Sequence, residues 1–251
     1  MNERGTGLFR EENARCAEAY WREYWAGFRP HVVRETPFDD IFREFPSGPL
    51  RFIEIGGFPG TFCVYFRKHK GYDVTLLDSR VDRDAVRGME EMNGLPRGTI
   101  RLIEADFLSF RARKGYDIVF SAGFLEHFSD IELILGKHAA LLVPGGMLCV
   151  SVPNFLGING FVQRLLDKRN YAFHNTDAMD MKRLEGACVS LGLKNCRVFH
   201  FGRPTVWLED SAPAGAWART AVRLLAKALG RINLRNKLLS PYIMAIAEKA
   251  R

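Results

Sequence analysis

A glycine-rich stretch, EIGGFPG at residues 54–60, has the residue types most directly suited to binding a ligand. It follows the apolar run RFIEI and precedes the helical pattern TFCVYFRKH, so it forms a loop between a strand and a helix. In an open parallel sheet, ligands bind at that place, beside the N-terminus of the helix. Glycine allows close approach because it has no Cβ to collide with the ligand. A tight turn without a ligand is the alternative for this stretch taken alone.

An acidic residue follows at a spacing typical of nucleotide binding. Asp78 lies eighteen residues past Gly60, at the end of the second apolar run, DVTLLD. At about this offset, an acidic side chain reaches a ribose hydroxyl in nucleotide-binding folds. Together, the loop and Asp78 favour a ligand that carries a ribose.

Two histidines and one glutamate are the candidates for proton transfer. Glu126 and His127 follow the fourth predicted strand, YDIVFSA, and His174 follows the fifth, MLCVSVP. The intrinsic pKa of histidine suits a general base near neutral pH. The alternatives are a structural hydrogen bond at a helix start for Glu126 and His127, and a turn or capping role for His174.

Alternating strands and helices must position these residues. Strands are predicted at 51–55, 73–78, 99–106, 116–122, 147–153, 195–202 and 241–249, with helical patterns between them, including one at 176–192 and a turn at Pro144-Gly145-Gly146. This alternation predicts an α/β fold with a doubly wound, mostly parallel sheet. The 251 residues suffice for one such domain, which we place at 49–251 after a helical cap at 1–48.

The predicted cap contains two helices within residues 11–45, and the first has aromatic residues at helical spacing. Such a stripe either closes over a bound ligand as a lid or packs the helix onto the sheet domain. Both roles are compatible with each other. The aromatic residues are Tyr20, Trp21, Tyr24, Trp25 and Phe28.

The formal net charge of +7 is concentrated in one segment, a predicted helical insertion at 204–240. No acidic residue occurs from Ser211 to Ala247, and basic residues recur at nearly every fourth position. This spacing indicates either a solvated helix face or, over 216–237, a helix attracted to anionic lipid or to a lipid-linked glycan. The basic residues are Arg219, Arg223, Lys227, Arg231, Arg235 and Lys237.

The cysteines and the composition of the N-terminus indicate where the protein is located and whether it binds a metal. The five cysteines lack C-x-x-C spacing, which favours buried free thiols, and we expect no metal. The N-terminus lacks the apolar core of a signal peptide and no apolar run is long enough to span a bilayer, so we expect the cytoplasm, with a peripheral contact at the inner membrane face. The cysteines are Cys16, Cys63, Cys149, Cys188 and Cys196.

Over roughly residues 50–155 the ordered motifs EIGGFPG, LLD, EADF, YDIVFSAGFLEHF and PGG resemble the class I S-adenosylmethionine-dependent methyltransferases. The resemblance implies a seven-stranded Rossmann-like sheet whose last strand is antiparallel, with S-adenosylmethionine as cofactor. One departure is plain, because Phe58 replaces the usual middle glycine of the loop and Pro59 follows it.

The resemblance also implies roles for individual residues. Gly56, Gly57 and Gly60 would hold the methionine part of the cofactor, and Asp78 the ribose hydroxyls. Asp106 and Phe107 would meet the adenine. Further candidate cofactor-binding residues lie in or beside the same segments, namely Glu54, Phe58, Ser79 and Ser121.

The implied reaction is methyl transfer to a hydroxyl of a small molecule, a sugar or a lipid-linked glycan, with a small-molecule amine as the alternative acceptor. A dehydrogenase fits less well, since the loop lacks the G-x-G-x-x-G glycines. Nucleic acid is a weaker alternative acceptor, because SAGF replaces the motif that holds a planar base amine, and no RNA-binding module is evident. A non-catalytic relative would have lost the loop or Asp78, and both are present.

Overall fold

The computed structural model describes Trp21, Trp25 and residues 27–251. The first predicted helix falls outside the described residues except for these two tryptophans, which have helical backbone. Tyr20, Tyr24 and Cys16 also lie outside them. The division of the chain at residue 48 stays a prediction.

Seven strands form one mixed sheet in the order β3-β2-β1-β4-β5-β7-β6. Strands β1 to β5 pair in parallel, whereas β7 runs antiparallel to both β5 and β6. The predicted doubly wound sheet with an antiparallel last strand is therefore confirmed. The strands are β1 Arg51–Ile55, β2 Asp73–Asp78, β3 Arg101–Glu104, β4 Tyr116–Ala122, β5 Leu142–Pro153, β6 Lys194–Phe201 and β7 Tyr242–Glu248.

Helices connect the strands and cover the sheet. There are also two short 3-10 helices. Leu125–His127 follows β4, and Thr176–Met179 directly precedes α7. The α-helices of the described residues from 27 onward are α1 Asp39–Phe42, α2 Thr61–Lys70, α3 Arg83–Met92, α4 Ile131–Ala140, α5 Ile158–Leu166, α6 Lys168–Ala172, α7 Met181–Ser190 and α8 Ala216–Leu229.

The strands are apolar on both sides because helices cover both faces of the sheet. Successive side chains alternate between the faces, so Phe52 joins one core cluster and Ile53 the other. The cluster that contains Phe52 is rich in aromatic rings, with Phe42 of α1 and Phe66 of α2 at a centroid distance of 4.5 Å. The residues at the strand ends thus rest on a sheet that is buried on both faces.

The second predicted N-terminal helix is much shorter in the structure than expected. Only α1 is helical among residues 31–45, and Pro37 disfavours helical backbone at Thr36. The Asp39 carboxylate instead accepts hydrogen bonds from the backbone N–H and the hydroxyl of Thr36, at 2.7 and 2.8 Å. This segment is tied to α3 by the Asn93 side chain, which accepts from Val33 N at 2.8 Å.

Other boundaries also differ from the predictions. The predicted helix at 176–192 is divided at Asp180, whose carboxylate caps α7 by accepting from the backbone N–H groups of Lys182 and Arg183. The predicted turn at 144–146 lies within β5, where the pairing with β4 shifts register between Tyr116 and Ile118. Helices α5 and α6 were not predicted.

Candidate active site

A large cleft of about 1850 Å³ opens at the carboxyl ends of β1, β2, β4 and β5. Strand order reverses there, since β1 is flanked by β2 on one side and β4 on the other. Every predicted site residue lines this cleft except Gly60 and Ser121. The residues that do so are Glu54, Gly56, Gly57, Phe58, Asp78, Ser79, Asp106, Phe107, Glu126, His127 and His174.

The glycine loop follows β1 and needs glycine for two different reasons. Gly56 and Gly60 have φ angles of +63° and +92°, a backbone region that side chains rarely allow. A Cβ at Gly56 would also lie 2.2 Å from the Phe124 ring, and one at Gly57 would lie 2.1 Å from Glu54 Cγ. Gly60 does not line the cleft but precedes α2 as its N-cap residue.

Glu54 is the buried acid beneath this loop, with 2% of its surface exposed. Its Oε2 accepts a hydrogen bond from Cys63 N at 2.9 Å, which joins the loop to the first turn of α2. Burial raises the pKa of Glu54 to about 8 despite the hydrogen bonds from Cys63. Its carboxyl group is therefore mainly protonated at neutral pH.

Asp78 ends β2 and faces the glycine loop. One carboxylate oxygen accepts from Phe58 N at 3.1 Å and the other from Arg80 N at 3.2 Å, while Ser79 Oγ lies 3.5 Å from the latter oxygen. Burial raises the pKa of Asp78, and these backbone donors oppose the rise. The acid thus fixes the loop and also presents its carboxylate to the cleft.

Asp106 and Phe107 follow β3 and line the cleft. The Asp106 carboxylate accepts from the backbone N–H groups of Leu108 and Ser109 at 3.0 and 3.1 Å, which stabilises a tight turn. Phe107 is 6% exposed, and its ring makes an edge contact with Phe124 at 5.4 Å. Phe107 is therefore both a core residue and part of the wall.

Ser121 was predicted to bind cofactor, but the structure does not bring it to the cleft. It is fully buried within β4, and its hydroxyl lies 3.1 Å from His138 Nε2 on α4. Burial lowers the pKa of His138 to about 4, so the imidazole is neutral and makes this internal hydrogen bond. Successive side chains of β4 point to opposite faces of the sheet, which explains why Ser121 is turned into the core while its neighbour Ala122 lines the cleft.

Glu126, His127 and His174 come together although 47 positions separate the second and third in the chain. One potential ligand atom from each lies within 4.8 Å of the others. The backbone N–H of Asn175 donates to Glu126 O at 2.7 Å, which holds the two segments side by side. The sequence indicated each of these residues as a candidate for proton transfer but not that they are neighbours. The fold brings them together as one polar group on the cleft wall.

Glu126 is 1% exposed, and its Oε2 has no hydrogen-bond partner among the described residues. Burial raises its pKa to about 8. A structural hydrogen bond between Glu126 and its neighbour, the alternative considered from the sequence, is not seen at this oxygen.

Both imidazoles of this group are neutral and held by backbone carbonyls. His127 Nδ1 lies 3.3 Å from Phe173 O, and His174 Nδ1 lies 2.7 Å from Asn170 O. Burial lowers the pKa of His127 to about 3, with a smaller contribution from the repulsion that a protonated His174 would exert. Burial also lowers the pKa of His174 to about 4.

Aromatic side chains from the N-terminal segment also line the cleft. Trp21 makes an edge contact with the His127 ring at 5.2 Å, and Trp25 makes one with Phe58 at 5.4 Å. Phe58, the residue at the unusual loop position, also contacts Phe28 at 6.2 Å. Both predicted roles, lid and packing, are compatible with these contacts.

Sequence reasoning missed a further wall of the cleft. It is lined by Arg169 and Asn170 of α6, together with Trp207, Glu209 and Tyr242. The Asp167 carboxylate at the start of α6 accepts from Asn170 N at 3.1 Å, and this Asp was the available signal for a helix start.

The basic segment is shorter as a helix than predicted, since within 204–240 only α8, Ala216–Leu229, is helical and the last three cations follow it. The cations also differ in what they contact. Arg219 donates to backbone carbonyls, including Ala212 O at 2.6 Å, and Arg235 pairs with Asp40 at 2.5 Å. Exposed cations are contributed by Arg223, Lys227, Arg231 and Lys237. Within the described part of the chain, no helix is long and apolar enough to cross a bilayer.

Residues 25–188, more than half of the chain, match a methyltransferase domain family model. The chain belongs to this family, whose cofactor is S-adenosylmethionine, and it is an S-adenosylmethionine-dependent methyltransferase.

A curated relative matches part of the chain. The ubiquinone biosynthesis O-methyltransferase of Bradyrhizobium sp. (strain ORS 278) is 30% identical over 105 residues, which cover 42% of this chain and 40% of that protein. The match thus spans less than half of that relative.

Two solved structures share the fold. A SAM-dependent methyltransferase from Archaeoglobus fulgidus superposes with a TM-score of 0.55 at 16% identity, covering 92% of this chain and 99% of that one. The Haemonchus contortus phosphoethanolamine N-methyltransferase 2 superposes with a TM-score of 0.61 at 15% identity, covering 97% of this chain and 59% of that one.

Proposed function

We propose that this enzyme methylates a hydroxyl oxygen of a small molecule, a sugar or a lipid-linked glycan. The observation that carries the proposal is the polar group of Glu126, His127 and His174 on a cleft wall that also contains the glycine loop. Phe124 connects the polar group with the glycine loop, because its ring packs against Gly56 and it is two residues before Glu126. An acceptor held by this group would therefore lie beside the loop.

The loop and strand ends fit the family's cofactor. Gly56 and Gly57 line the cleft, and a Cβ at either position would clash with Phe124 or Glu54, so only glycine allows the loop to follow this path beside a ligand. We assign the methionine part to Gly56 and Gly57, the ribose hydroxyls to Asp78, and the adenine to the wall at Asp106 and Phe107. When bound, the sulfonium of S-adenosylmethionine supplies an electrophilic methyl group.

The protein must then orient the acceptor oxygen and accept its proton. At neutral pH the imidazoles of His127 and His174 are unprotonated and can accept a proton, whereas the Glu126 carboxyl group is mainly protonated. We propose that the two imidazoles bind and orient the hydroxyl and that one of them accepts its proton, whereas the protonated Glu126 carboxyl group is not the base.

The name of the curated relative supports oxygen as the acceptor atom, since that protein is called an O-methyltransferase. The basic segment supports an acceptor presented at a lipid surface. In α8, Trp217, Ala221, Leu224 and Ala228 follow each other at helical spacing and are all exposed, beside the exposed cations Arg223 and Lys227.

We propose that this face of α8 contacts an anionic lipid surface. A second, buried stripe of Ala218, Val222 and Leu229 already attaches the helix to the domain, so the exposed stripe is not needed for packing. Trp217 is 77% exposed and Leu224 is 61% exposed. No acidic residue from 211 to 247 opposes the attraction of the cations to anionic headgroups.

The acceptor atom can be tested with labelled cofactor. Purified enzyme is incubated with S-adenosylmethionine bearing a labelled methyl group and with matched acceptor pairs that carry either a hydroxyl or an amine, including catechols, sugars and polyprenyl-linked glycans. Mass spectrometry then locates the label. Label on oxygen supports the proposal, and label confined to amine nitrogen would overturn it.

A further inference from the structure

The group of Glu126, His127 and His174 has a composition and an arrangement that also suit a metal ion. Two imidazoles and one carboxylate converge from two chain segments, with one donor atom of each within 4.8 Å of the others. All three line the cleft. These are the ligand types that bind divalent transition-metal ions.

The imidazoles are oriented as metal ligands are. In each ring Nδ1 faces a backbone carbonyl, Phe173 O for His127 and Asn170 O for His174. A carbonyl only accepts, so these hydrogen bonds place the proton of the neutral ring on Nδ1 and leave a lone pair on Nε2. Metal-binding histidines are commonly fixed by this kind of outer hydrogen bond.

The carboxylate supplies an independent observation. Glu126 is 1% exposed, and its Oε2 has no hydrogen-bond partner among the described residues. Buried oxygen atoms of this kind are nearly always paired, because an unpaired one costs free energy. A cation between Glu126 and the two imidazoles would satisfy this oxygen.

We propose that Glu126, His127 and His174 bind a divalent transition-metal ion of the zinc type. Zinc with ligand bonds of about 2.1 Å needs donor atoms roughly 3.5 Å apart, so small side-chain rotations from the present separation of up to 4.8 Å would close the site. Three protein ligands would leave a fourth position open, and all three of these residues line the cleft from which an acceptor would approach. The sequence alone predicted no metal.

The role of this ion rests on the proposed function. An acceptor hydroxyl in the open position would be held beside the glycine loop, and its bond to the cation would lower its pKa. Because both imidazoles would then be ligands, the hydroxyl proton would pass to water in the cleft instead of to a histidine. The oxygen lone pair forms the new O–CH₃ bond as the C–S bond breaks, and the sulfur keeps that electron pair as a neutral thioether.

The binding test uses untagged, full-length protein stripped with a chelator, in a Cys16→Ser background that keeps that thiol out of the titration. Zinc is titrated in competition with a chromophoric chelator, and cobalt(II) is titrated separately as a spectroscopic substitute. We expect one ion per chain, visible cobalt bands of a four- or five-coordinate site, and no near-ultraviolet thiolate charge-transfer band.

Variants assign the ligands. His174→Ala and Glu126→Gln should each weaken zinc binding at least tenfold. His69→Ala, which changes an exposed histidine on α2, should leave zinc affinity unchanged. Retained S-adenosylmethionine affinity in His174→Ala shows that this variant is folded. Zinc binding that is absent, or unchanged in both ligand variants, would overturn the site.

The outcome separates this site from the proposed acceptor. If zinc binds at these residues but labelled methyl groups appear only on amine nitrogen, the site stands and the hydroxyl proposal fails. If hydroxyl methylation by the stripped enzyme is the same with and without added zinc, and the titration shows no bound zinc, the hydroxyl proposal stands and the metal site fails.

Discussion

Glu54 fills the space that a side chain at position 57 would need, since a Cβ on Gly57 would lie 2.1 Å from Glu54 Cγ and 2.3 Å from Oε1. The same carboxyl group accepts a hydrogen bond from Cys63 N at 2.9 Å. The buried acid and the glycine above it therefore determine together how the loop passes from β1 to α2.

Gly57→Ala should displace either the loop or Glu54 and so weaken S-adenosylmethionine binding at least tenfold, because overpacking a tight site costs about 1–3 kcal/mol. Calorimetric titration measures the change. Gly186→Ala is the matched control, since a Cβ at that position in α7 meets nothing within 4 Å. Equal affinity in the Gly57 and Gly186 variants would contradict the steric account.

Glu54→Gln should alter how stability depends on pH. The folded pKa of about 8 lies above the ordinary value for Glu, so the folded state holds its proton more tightly than the unfolded state does. This contribution to stability is fully present below the unfolded pKa and is lost as pH rises from about 5 to 8. Glutamine keeps an acceptor for Cys63 N and cannot ionise.

Thermal unfolding of ligand-free protein between pH 5 and 8 tests this expectation. The wild-type Tm should fall relative to that of Glu54→Gln as pH rises, by several degrees over the range. Parallel curves for the two proteins would mean that Glu54 is ionised in the folded state.

Ser121→Ala should lower stability and leave cofactor affinity unchanged. The variant leaves buried His138 Nε2 without its partner, which costs about 1–3 kcal/mol. Denaturant unfolding and calorimetric titration measure the two quantities. A large loss of S-adenosylmethionine affinity at unchanged stability would restore the cofactor-binding role that the sequence predicted for Ser121.

Neutralising the exposed cations of the basic segment, on α8 and in the chain that follows it, should release the enzyme from anionic vesicles. Each such cation near the surface contributes about 1 kcal/mol, so replacing four with Gln should reduce sedimentation with phosphatidylserine-containing vesicles more than tenfold. The four are Arg223, Lys227, Arg231 and Lys237.

A charge-matched control removes four exposed cations from other elements and should leave vesicle binding nearly unchanged. Equal losses in the two variants would show that net charge alone attracts the protein to the vesicles. Binding retained in the basic-segment variant would rule out this surface. The control positions are Arg101, Arg113, Lys114 and Lys182.

The sheet could be predicted because each strand is a short apolar run bounded by turn residues, as at RFIEI and YDIVFSA. The convergence of His127 and His174 could not, because it depends on the tertiary contact between Asn175 N and Glu126 O. Helices α5 and α6 were missed because both are short and part of α5 is polar and buried, as Asn159 and Gln163 are.

Ser121 shows a different limit of sequence reasoning. A motif placed it beside the cleft, but the alternation of side chains along β4 turns it into the core toward His138. Asp106 agrees with its prediction only in part. It lines the cleft, but its carboxylate also accepts hydrogen bonds from the backbone of the turn that follows β3. A motif locates a segment, and the pleat of the strand decides which of its side chains a ligand meets.

The most direct test of the account is calorimetric titration with S-adenosylmethionine and its demethylated product, using wild type, Asp78→Ala, Asp78→Asn and Asp84→Ala. Asp78→Asn retains an acceptor for Phe58 N, and Asp84 is an exposed carboxylate on α3 that serves as the control. We predict micromolar binding to wild type and Asp84→Ala, and losses of at least tenfold in both Asp78 variants. Equal affinities in all four proteins would contradict the assignment of the cofactor to this cleft.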